Sequence, residues 1–172
     1  MITLGRPQST EAAPYYFRYI NQVEGDDALT IIDAQLDEAL ALFATISEEK
    51  SLHRYLPEKW SIRQVLNHIN DSERTFAFRA LWFTRGFDTP LPSYEQNIAA
   101  ATAQADAVAW QAHVEEFRSI RLATISLFQN LSPEAWERTG IASDNRFTVR
   151  ALAFIIAGHL THHAKILQER YL

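Results

Sequence analysis

The chain contains no cysteine. Disulfides are therefore excluded, and so are a thiolate metal ligand and a cysteine nucleophile. Any metal ion bound by this chain has to be held by histidine, aspartate or glutamate. Glycine and proline are also scarce, with five and six residues in a chain of 172, and almost all of them fall between segments of helical periodicity. Long stretches that lack both residues predict helices.

Other absences narrow the function. The net charge is -5 and the 16 lysines and arginines are scattered, so there is no basic face of the kind that binds nucleic acid. No apolar run free of charge approaches the length of a membrane span, and residues 1–6 lack the apolar stretch of a signal peptide. The GxSxG, Walker and GxGxxG motifs are missing. We therefore expect a cytoplasmic protein that acts on a small molecule and binds neither nucleic acid nor membranes.

Four long segments carry apolar residues at helical spacing. They predict helices over residues 27–47, 61–85, 106–130 and 148–171, with a further short helical piece around 94–102. No segment alternates in the manner of a strand between turn residues, and we interpret the polar stretch 140–146 as a loop. Residues 1–172 are thus predicted to form a single all-α domain, a four-helix bundle. A long loop, which includes residues 86–93 with two prolines, joins the second and third helices.

Histidines on the fourth predicted helix are the first candidates for chemistry. His159 and His163 stand four residues apart and therefore face the same side of a helix, one turn apart. They continue the apolar stripe of Ile155 and Ile156, whereas His162 falls on a more polar face. Two core imidazoles are costly unless each finds a partner. A shared metal ion is one such partner, and hydrogen bonds to side chains or water are the alternative.

A third histidine lies in the middle of the second predicted helix. His68 stands beside the apolar stripe of that helix, and helical bundles build metal sites from side chains on facing helices. One histidine from the second helix and two from the fourth would make a three-ligand set for a divalent ion. Zinc, nickel and iron all suit imidazole ligands. We therefore predict a metal site formed by His68, His159 and His163.

Several polar residues lie near this predicted site in the sequence. Asp71 follows His68 by one helical turn and is a candidate catalytic residue, because it could orient an imidazole or handle protons of a bound water. The alternative is an ion pair of Asp71 with Arg74. Glu73 and Arg79 are candidates for an interhelical ion pair.

Some positions are assigned by pattern alone. We expect His53 and His113 at the surface and Trp60 to be a packing anchor. Leu81, Val108 and Leu122 are among the apolar residues expected to be buried.

Two segments of this chain resemble the DinB-like superfamily, particularly its YfiT-type branch. Residues 59–74, KWSIRQVLNHINDSER, are similar to the tryptophan-led second helix that carries the family's first metal-binding histidine. Residues 147–163 end with the sequence GHLTHH and are similar to the segment that carries the HxxxH motif in the last helix of the family. The resemblance implies a four-helix bundle, a divalent metal held by His68, His159 and His163, and a homodimer. Relatives include thiol-dependent transferases and isomerases that use low-molecular-weight thiols, and proteins described as hydrolases.

The ligand set predicts which kind of metal site this is. Three neutral imidazoles leave the charge of the ion in place and its remaining positions open, which is the catalytic pattern. Such a site activates bound water or a thiolate, and a thiol has to come from a cosubstrate because the chain has no cysteine. We therefore predict a metal-dependent transferase or hydrolase, with thiol transfer slightly favoured. The alternative is a non-catalytic, metal-stabilised dimeric bundle.

Overall fold

The computed structural model describes residues 5–172, so the N-terminal stretch considered for a signal peptide lies mostly outside the described residues. The described helices are α1 (Phe17–Ile20), α2 (Ala28–Ala44), α3 (Ile62–Thr84), α4 (Gln96–Thr102), α5 (Trp110–Gln129), α6 (Pro133–Trp136) and α7 (Val149–Arg170). Single 3-10 turns occur at Pro14–Tyr16, Lys50–Leu52 and Ala105–Ala107, and the strands are β1 (Thr139–Ala142) and β2 (Asn145–Thr148). Among these residues, no helix is both long and apolar enough to cross a membrane.

The four long helices α2, α3, α5 and α7 form the predicted bundle. Helices α2 and α3 each pack against both α5 and α7. The two helices that follow one another in the chain therefore occupy opposite corners, and residues 45–61 cross one end of the bundle between them. Every residue from 151 to 160 of α7 is buried, which places the middle of this helix, including His159, in the core.

Side-chain caps determine where three of these helices begin. The Asp27 carboxylate accepts from the backbone N–H of Leu29 at the start of α2. Ser61 and Gln64 form a capping box at the start of α3, in which each side chain accepts from the backbone N–H of the other residue. The Thr148 hydroxyl accepts from a backbone N–H in the first turn of α7. The last two caps fix the first residues of α3 and α7, the two helices that carry the histidines.

The prediction that residues 140–146 form a loop without strands is wrong. Strands β1 and β2 pair as an antiparallel hairpin, and the two turn residues Ser143 and Asp144 both have left-handed φ angles, near 51° and 59°. Such a turn suits a two-residue hairpin, but Ser-Asp is not the Asn-Gly pair by which these turns are recognised. Each strand is only four residues long. The sequence signal was therefore weak.

The hairpin also fixes part of the long connection between α3 and α5. Leu91 donates its N–H to the carbonyl of Ile141 at 2.9 Å, and its own carbonyl accepts from Ser143 N–H at 3.1 Å. The short helix α4 follows, within the predicted range 94–102. This connection is thus anchored on the bundle rather than free in solvent.

Four burial predictions are wrong, and for two of them the structure shows the cause. Leu81, Val108 and Leu122 are 36%, 40% and 46% exposed, whereas His113 is only 2% exposed. Helix α5 begins at Trp110 rather than at residue 106, so Val108 lies in the extended segment before it. The preceding 3-10 turn covers His113, whose Nε2 lies 2.9 Å from the carbonyl oxygen of Ala105. His53 is exposed as predicted.

A buried polar layer joins the four long helices. Arg121 of α5 is fully buried, and its Nη2 lies 2.8 Å from Oε2 of Glu73 on α3. Arg121 Nη1 also lies 3.3 Å from Gln35 Oε1 on α2, and Gln35 donates to the hydroxyl of Thr161 on α7 at 2.9 Å. The predicted pairing of Glu73 with Arg79 is wrong, because both residues lie on α3 and the interhelical partner of Glu73 is Arg121 of α5. Each long helix contributes one side chain to this layer.

Gly158 lies inside α7 because α1 approaches the helix closely there. A Cβ atom at this position would lie 2.1 Å from the carbonyl oxygen of Tyr19 and 2.5 Å from its carbonyl carbon. Only a residue without a side chain permits this approach. The contact places Tyr19 directly over the histidine that follows Gly158.

We expect Gly158→Ala to lower the free energy of unfolding by about 1–3 kcal/mol, because the added methyl group has to displace backbone. Helix propensity alone would give the opposite sign, a gain of about 1 kcal/mol. Urea denaturation measures the difference, with Ser126→Ala on the exposed face of α5 as the control. An alanine variant as stable as the original chain would show that α1 does not pack so closely.

Candidate metal centre

Three histidine side chains converge between α3 and α7. His68 extends from α3, and His159 and His163 extend from successive turns of α7. One ring nitrogen from each lies within 4.8 Å of the other two, a grouping that could hold a metal ion. The Nε2 atoms of His68 and His159 are 3.1 Å apart, and the rings of His159 and His163 are 4.5 Å apart. These are the three histidines that the sequence selects.

The donor set fits a single divalent ion. Nitrogens bound at about 2.0–2.1 Å to one tetrahedral ion lie roughly 3.3 Å from each other, close to the 3.1 Å between His68 and His159. The same distance suits a hydrogen bond when one of the two nitrogens carries a proton. Ligation through both nitrogens therefore requires that this proton shifts to Nδ1 of the same ring, which is a change of tautomer of a neutral imidazole.

Burial keeps the three imidazoles neutral. It lowers the pKa of His68 to about 4, and burial together with the nearby His68 lowers the pKa of His163 to about 3. The pKa of His159 also lies well below its ordinary value, first through burial and then through its histidine neighbours. At neutral pH the group therefore presents unprotonated nitrogens, the form that metal ligation needs.

These lowered pKa values make the metal-free protein sensitive to mild acid. Below about pH 6.5 the unfolded chain takes up protons on these histidines, whereas the folded chain resists protonation until about pH 4 or 3. Stability is therefore lost as pH falls through this window, by up to roughly 1.4 kcal/mol per pH unit for each histidine that stays neutral. Urea denaturation of the metal-free protein between pH 7 and pH 5 measures this slope.

A matched pair of variants isolates the contribution of the buried histidines to this slope. We expect His163→Gln to flatten the profile, because it removes one depressed pKa, and the exposed His53→Gln to leave it unchanged. Equal slopes in the original chain and both variants would contradict the assignment.

Side chains around the group hold or cover two of the imidazoles. The Ser72 hydroxyl lies 3.4 Å from Nδ1 of His68, one helical turn along α3. The Trp60 ring packs 5.1 Å from the His68 ring, so the predicted packing anchor also covers the site. The Tyr19 ring lies edge-on at 5.2 Å from His159. Sequence analysis missed Ser72, although its spacing of four residues from His68 was a usable signal.

Asp71 lies near the group but faces other partners. Its Oδ2 accepts from the Asn67 amide at 3.0 Å, and its Oδ1 is 3.8 Å from Arg74 Nη1. Burial, with the charge and hydrogen bond of Asp71, raises the pKa of Tyr94 to about 12. The side chain that lies at hydrogen-bond distance from Nδ1 of His68 is that of Ser72, not that of Asp71. Asp71 therefore lies within ion-pair distance of Arg74, the alternative partner suggested by the sequence. It also interacts with Tyr94 in the connection between α3 and α5.

His162 lies beside His163, with the ring centres 5.1 Å apart, but its ring nitrogen has another partner. Its Nδ1 lies 3.2 Å from the side-chain amide of Gln22, and its ring packs 5.4 Å from Tyr19. Burial lowers the pKa of this imidazole as well. It stands outside the group of three and makes a matched control for their substitution.

A cavity of about 280 Å³ reaches His68 and His159 from solvent. Its walls come from α3, from the tyrosine-rich segment before α2, and from the connection between α3 and α5. The lining residues besides the two histidines are Tyr15, Tyr16, Tyr19, Ser72, Thr75, Phe76, Arg79, Tyr94, Glu95, Gln96, Asn97 and Ser143. Two members of the histidine group are therefore accessible to a small molecule.

The fold and this site define a class: a helical bundle with a buried three-histidine group that opens onto a small cavity. The chain belongs to the DinB superfamily, whose family model matches residues 31–167. The sequence resemblance is thereby confirmed at the level of the superfamily. No curated protein sequence is similar enough to this chain to serve as a relative.

Solved structures support the fold. YfiT from Bacillus subtilis, described as a probable metal-dependent hydrolase with an unusual four-helix bundle topology, matches with a TM-score of 0.70 and 15% identity, over 98% of this chain and 95% of that chain. A mycothiol-dependent maleylpyruvate isomerase matches with a TM-score of 0.71 and 12% identity, over 85% of this chain. The match spans 61% of the isomerase, so that protein is considerably longer. At these identities the likeness concerns the fold.

Proposed function

We propose that this protein is a metal-dependent enzyme in which His68, His159 and His163 hold a divalent ion, with zinc, nickel and iron as the candidates. One observation carries the proposal: three histidine ring nitrogens lie within 4.8 Å of one another, and a cavity reaches two of the rings. Both similar structures support it, because one protein is described as metal-dependent and the other acts with a thiol.

The reaction class follows from the ligand type. A divalent ion on three neutral imidazoles supplies a Lewis acid that activates water or a thiol. This chain has no cysteine, so a thiol would come from a low-molecular-weight cosubstrate that enters the cavity. We favour thiol transfer or thiol-dependent isomerisation over hydrolysis, since the thiol-dependent isomerase shares the fold.

The remaining polar residues have supporting roles in this proposal. Ser72 would hold Nδ1 of His68 and so fix the orientation of the ring whose Nε2 faces His159. Asp71 would act at the cavity through Tyr94, because its carboxylate lies close enough to raise the pKa of that tyrosine, which lines the cavity. A proton could then pass between substrate and the Asp71–Tyr94 pair.

The cavity favours catalysis over the alternative of a metal-stabilised bundle without activity. A structural zinc site is closed by four protein ligands, whereas within residues 5–172 the group of potential ligands contains three histidines and no carboxylate. A homodimer remains a prediction, and light scattering of the purified protein tests it.

The proposed function is tested on protein purified without a histidine tag. Elemental analysis should give about one divalent ion per chain, and a panel of thiol cosubstrates with electrophiles, beside ester and amide substrates, should give activity that depends on this metal. His68→Ala should lose metal and activity together, whereas the exposed His53→Ala should keep both. Activity that survives loss of the metal would contradict the proposal.

A further inference from the structure

Arg79 is a buried cation in the wall of the cavity. It stands on α3, about three helical turns beyond His68, and only 4% of the residue is exposed. It lines the same cavity as His68 and His159. One small cavity is therefore lined both by a fixed positive charge and by two of the three histidines.

The partners of this guanidinium are neutral. Nη2 donates to the Ser143 hydroxyl at 2.8 Å and reaches the Pro92 carbonyl at 3.5 Å. The guanidinium also lies close to the Tyr16 hydroxyl and 5.7 Å from the centre of the Phe76 ring. Within residues 5–172, no carboxylate lies within 4.0 Å of Arg79, unlike the buried Arg121, which pairs with Glu73.

A buried guanidinium without a counter-ion is costly to the fold. Arginine stays protonated, and removal of its charge from water costs several kcal/mol unless an anion compensates it. Four neutral contacts orient the group and leave its charge uncompensated. A guanidinium also presents a planar fork of donors that matches a carboxylate in a bidentate manner.

We infer that Arg79 binds a carboxylate of the substrate or cosubstrate, with the reactive end of that molecule directed to the histidine group. The ligand class is a small organic acid, of a size that fits a cavity of about 280 Å³. Ser143 and Pro92 then serve as positioning residues, because the hairpin and the long connection hold the guanidinium against α3. This inference rests on the proposed function for the part that concerns the metal.

The first test compares two thiols that differ only in charge. Zinc-free protein is loaded with Co²⁺, and its visible spectrum is titrated with 3-mercaptopropionate and with the neutral 3-mercaptopropionamide. We expect at least about a tenfold preference for the acid in the original chain, since a bidentate hydrogen bond between two charged groups is stronger than one to a neutral amide. Arg79→Gln should reduce the preference to about twofold or less, and Arg79→Lys should retain part of it.

The control variant is Arg74→Gln, which removes an exposed arginine of the same helix that lies outside the cavity lining. It should keep the full preference for the acid. A preference that persists unchanged in Arg79→Gln would come from chelation by the metal and would overturn the inference. Equal affinity for both thiols in the original chain would overturn it as well.

A second titration separates this inference from the proposed function. Succinate and succinamide are added to the metal-free protein, and binding is followed by the arginine side-chain signals in NMR spectra. Succinate should shift the Arg79 signal and succinamide should not, whether or not thiols bind the metal. If thiols leave the Co²⁺ spectrum unchanged, only the proposal of thiol activation is contradicted. If succinate leaves the Arg79 signal unchanged, the inference of a carboxylate site is overturned.

The Ser143→Ala variant guards against misfolding of the Arg79 variants. It removes the contact that orients Nη2 without removing the charge. We expect it to weaken succinate binding about three- to tenfold with little loss of stability. A purely structural Arg79 would instead leave succinate without effect in every variant.

Discussion

His159→Ala should weaken metal binding strongly. His159 is the member of the group that is buried in the middle of α7, and its Nε2 faces that of His68. Four-ligand structural zinc sites bind with about 10–16 kcal/mol at neutral pH, so one ligand contributes on the order of 2.5–4 kcal/mol. Affinity should therefore fall on the order of 100- to 1,000-fold, as measured by competition with a chelator of known affinity.

The matched control for this substitution is His162→Ala. His162 lies on the same helix, three residues away, and is bonded to Gln22 rather than directed into the group. It should bind metal within about threefold of the original chain. Equal losses in the two variants would show that the ion is not held by the chosen face of α7.

Glu73→Gln should lower the free energy of unfolding by about 3–5 kcal/mol, the largest stability effect that we expect from one substitution. Glutamine keeps the shape of the side chain but leaves Arg121, which is fully buried, without its counter-charge. The double variant Glu73→Leu/Arg121→Met should recover most of the loss, because it removes both buried charges. Thermal and urea denaturation measure both effects.

An exposed ion pair on the same helix pair is the control. Arg74 Nη1 lies 2.6 Å from Oε1 of Glu116, and the arginine side chain is 52% exposed. Arg74→Gln should therefore cost less than about 1 kcal/mol. A Glu73→Gln variant no less stable than Arg74→Gln would contradict the role assigned to the buried layer.

The helices were predictable because their signals are local. The capping box of Ser61 and Gln64, and the apolar stripes of the four long segments, depend on residues a few positions apart. The choice of His163 over His162 used the same periodicity, and in the structure His163 lies with His68 while His162 bonds Gln22. Such features are read from one helix without knowledge of its neighbours.

The features that escaped prediction depend on contacts distant in sequence. Arginine is a residue type that is mostly exposed, yet Arg121 lies in the core beside Glu73 and Gln35 from two other helices. His113 is covered by the turn at Ala105, which exists because α5 starts later than its periodicity indicates. The cavity that joins His159 to Arg79 is likewise assembled from segments far apart in the chain.

The central claim is tested most directly by an anomalous-diffraction experiment on crystals of the metal-loaded protein. We expect one peak per chain, bonded at about 2.0–2.1 Å to nitrogens of His68, His159 and His163 if the ion is zinc, with a non-protein ligand on the side of the cavity. An ion at another position, or one closed by a fourth protein ligand, would contradict the account.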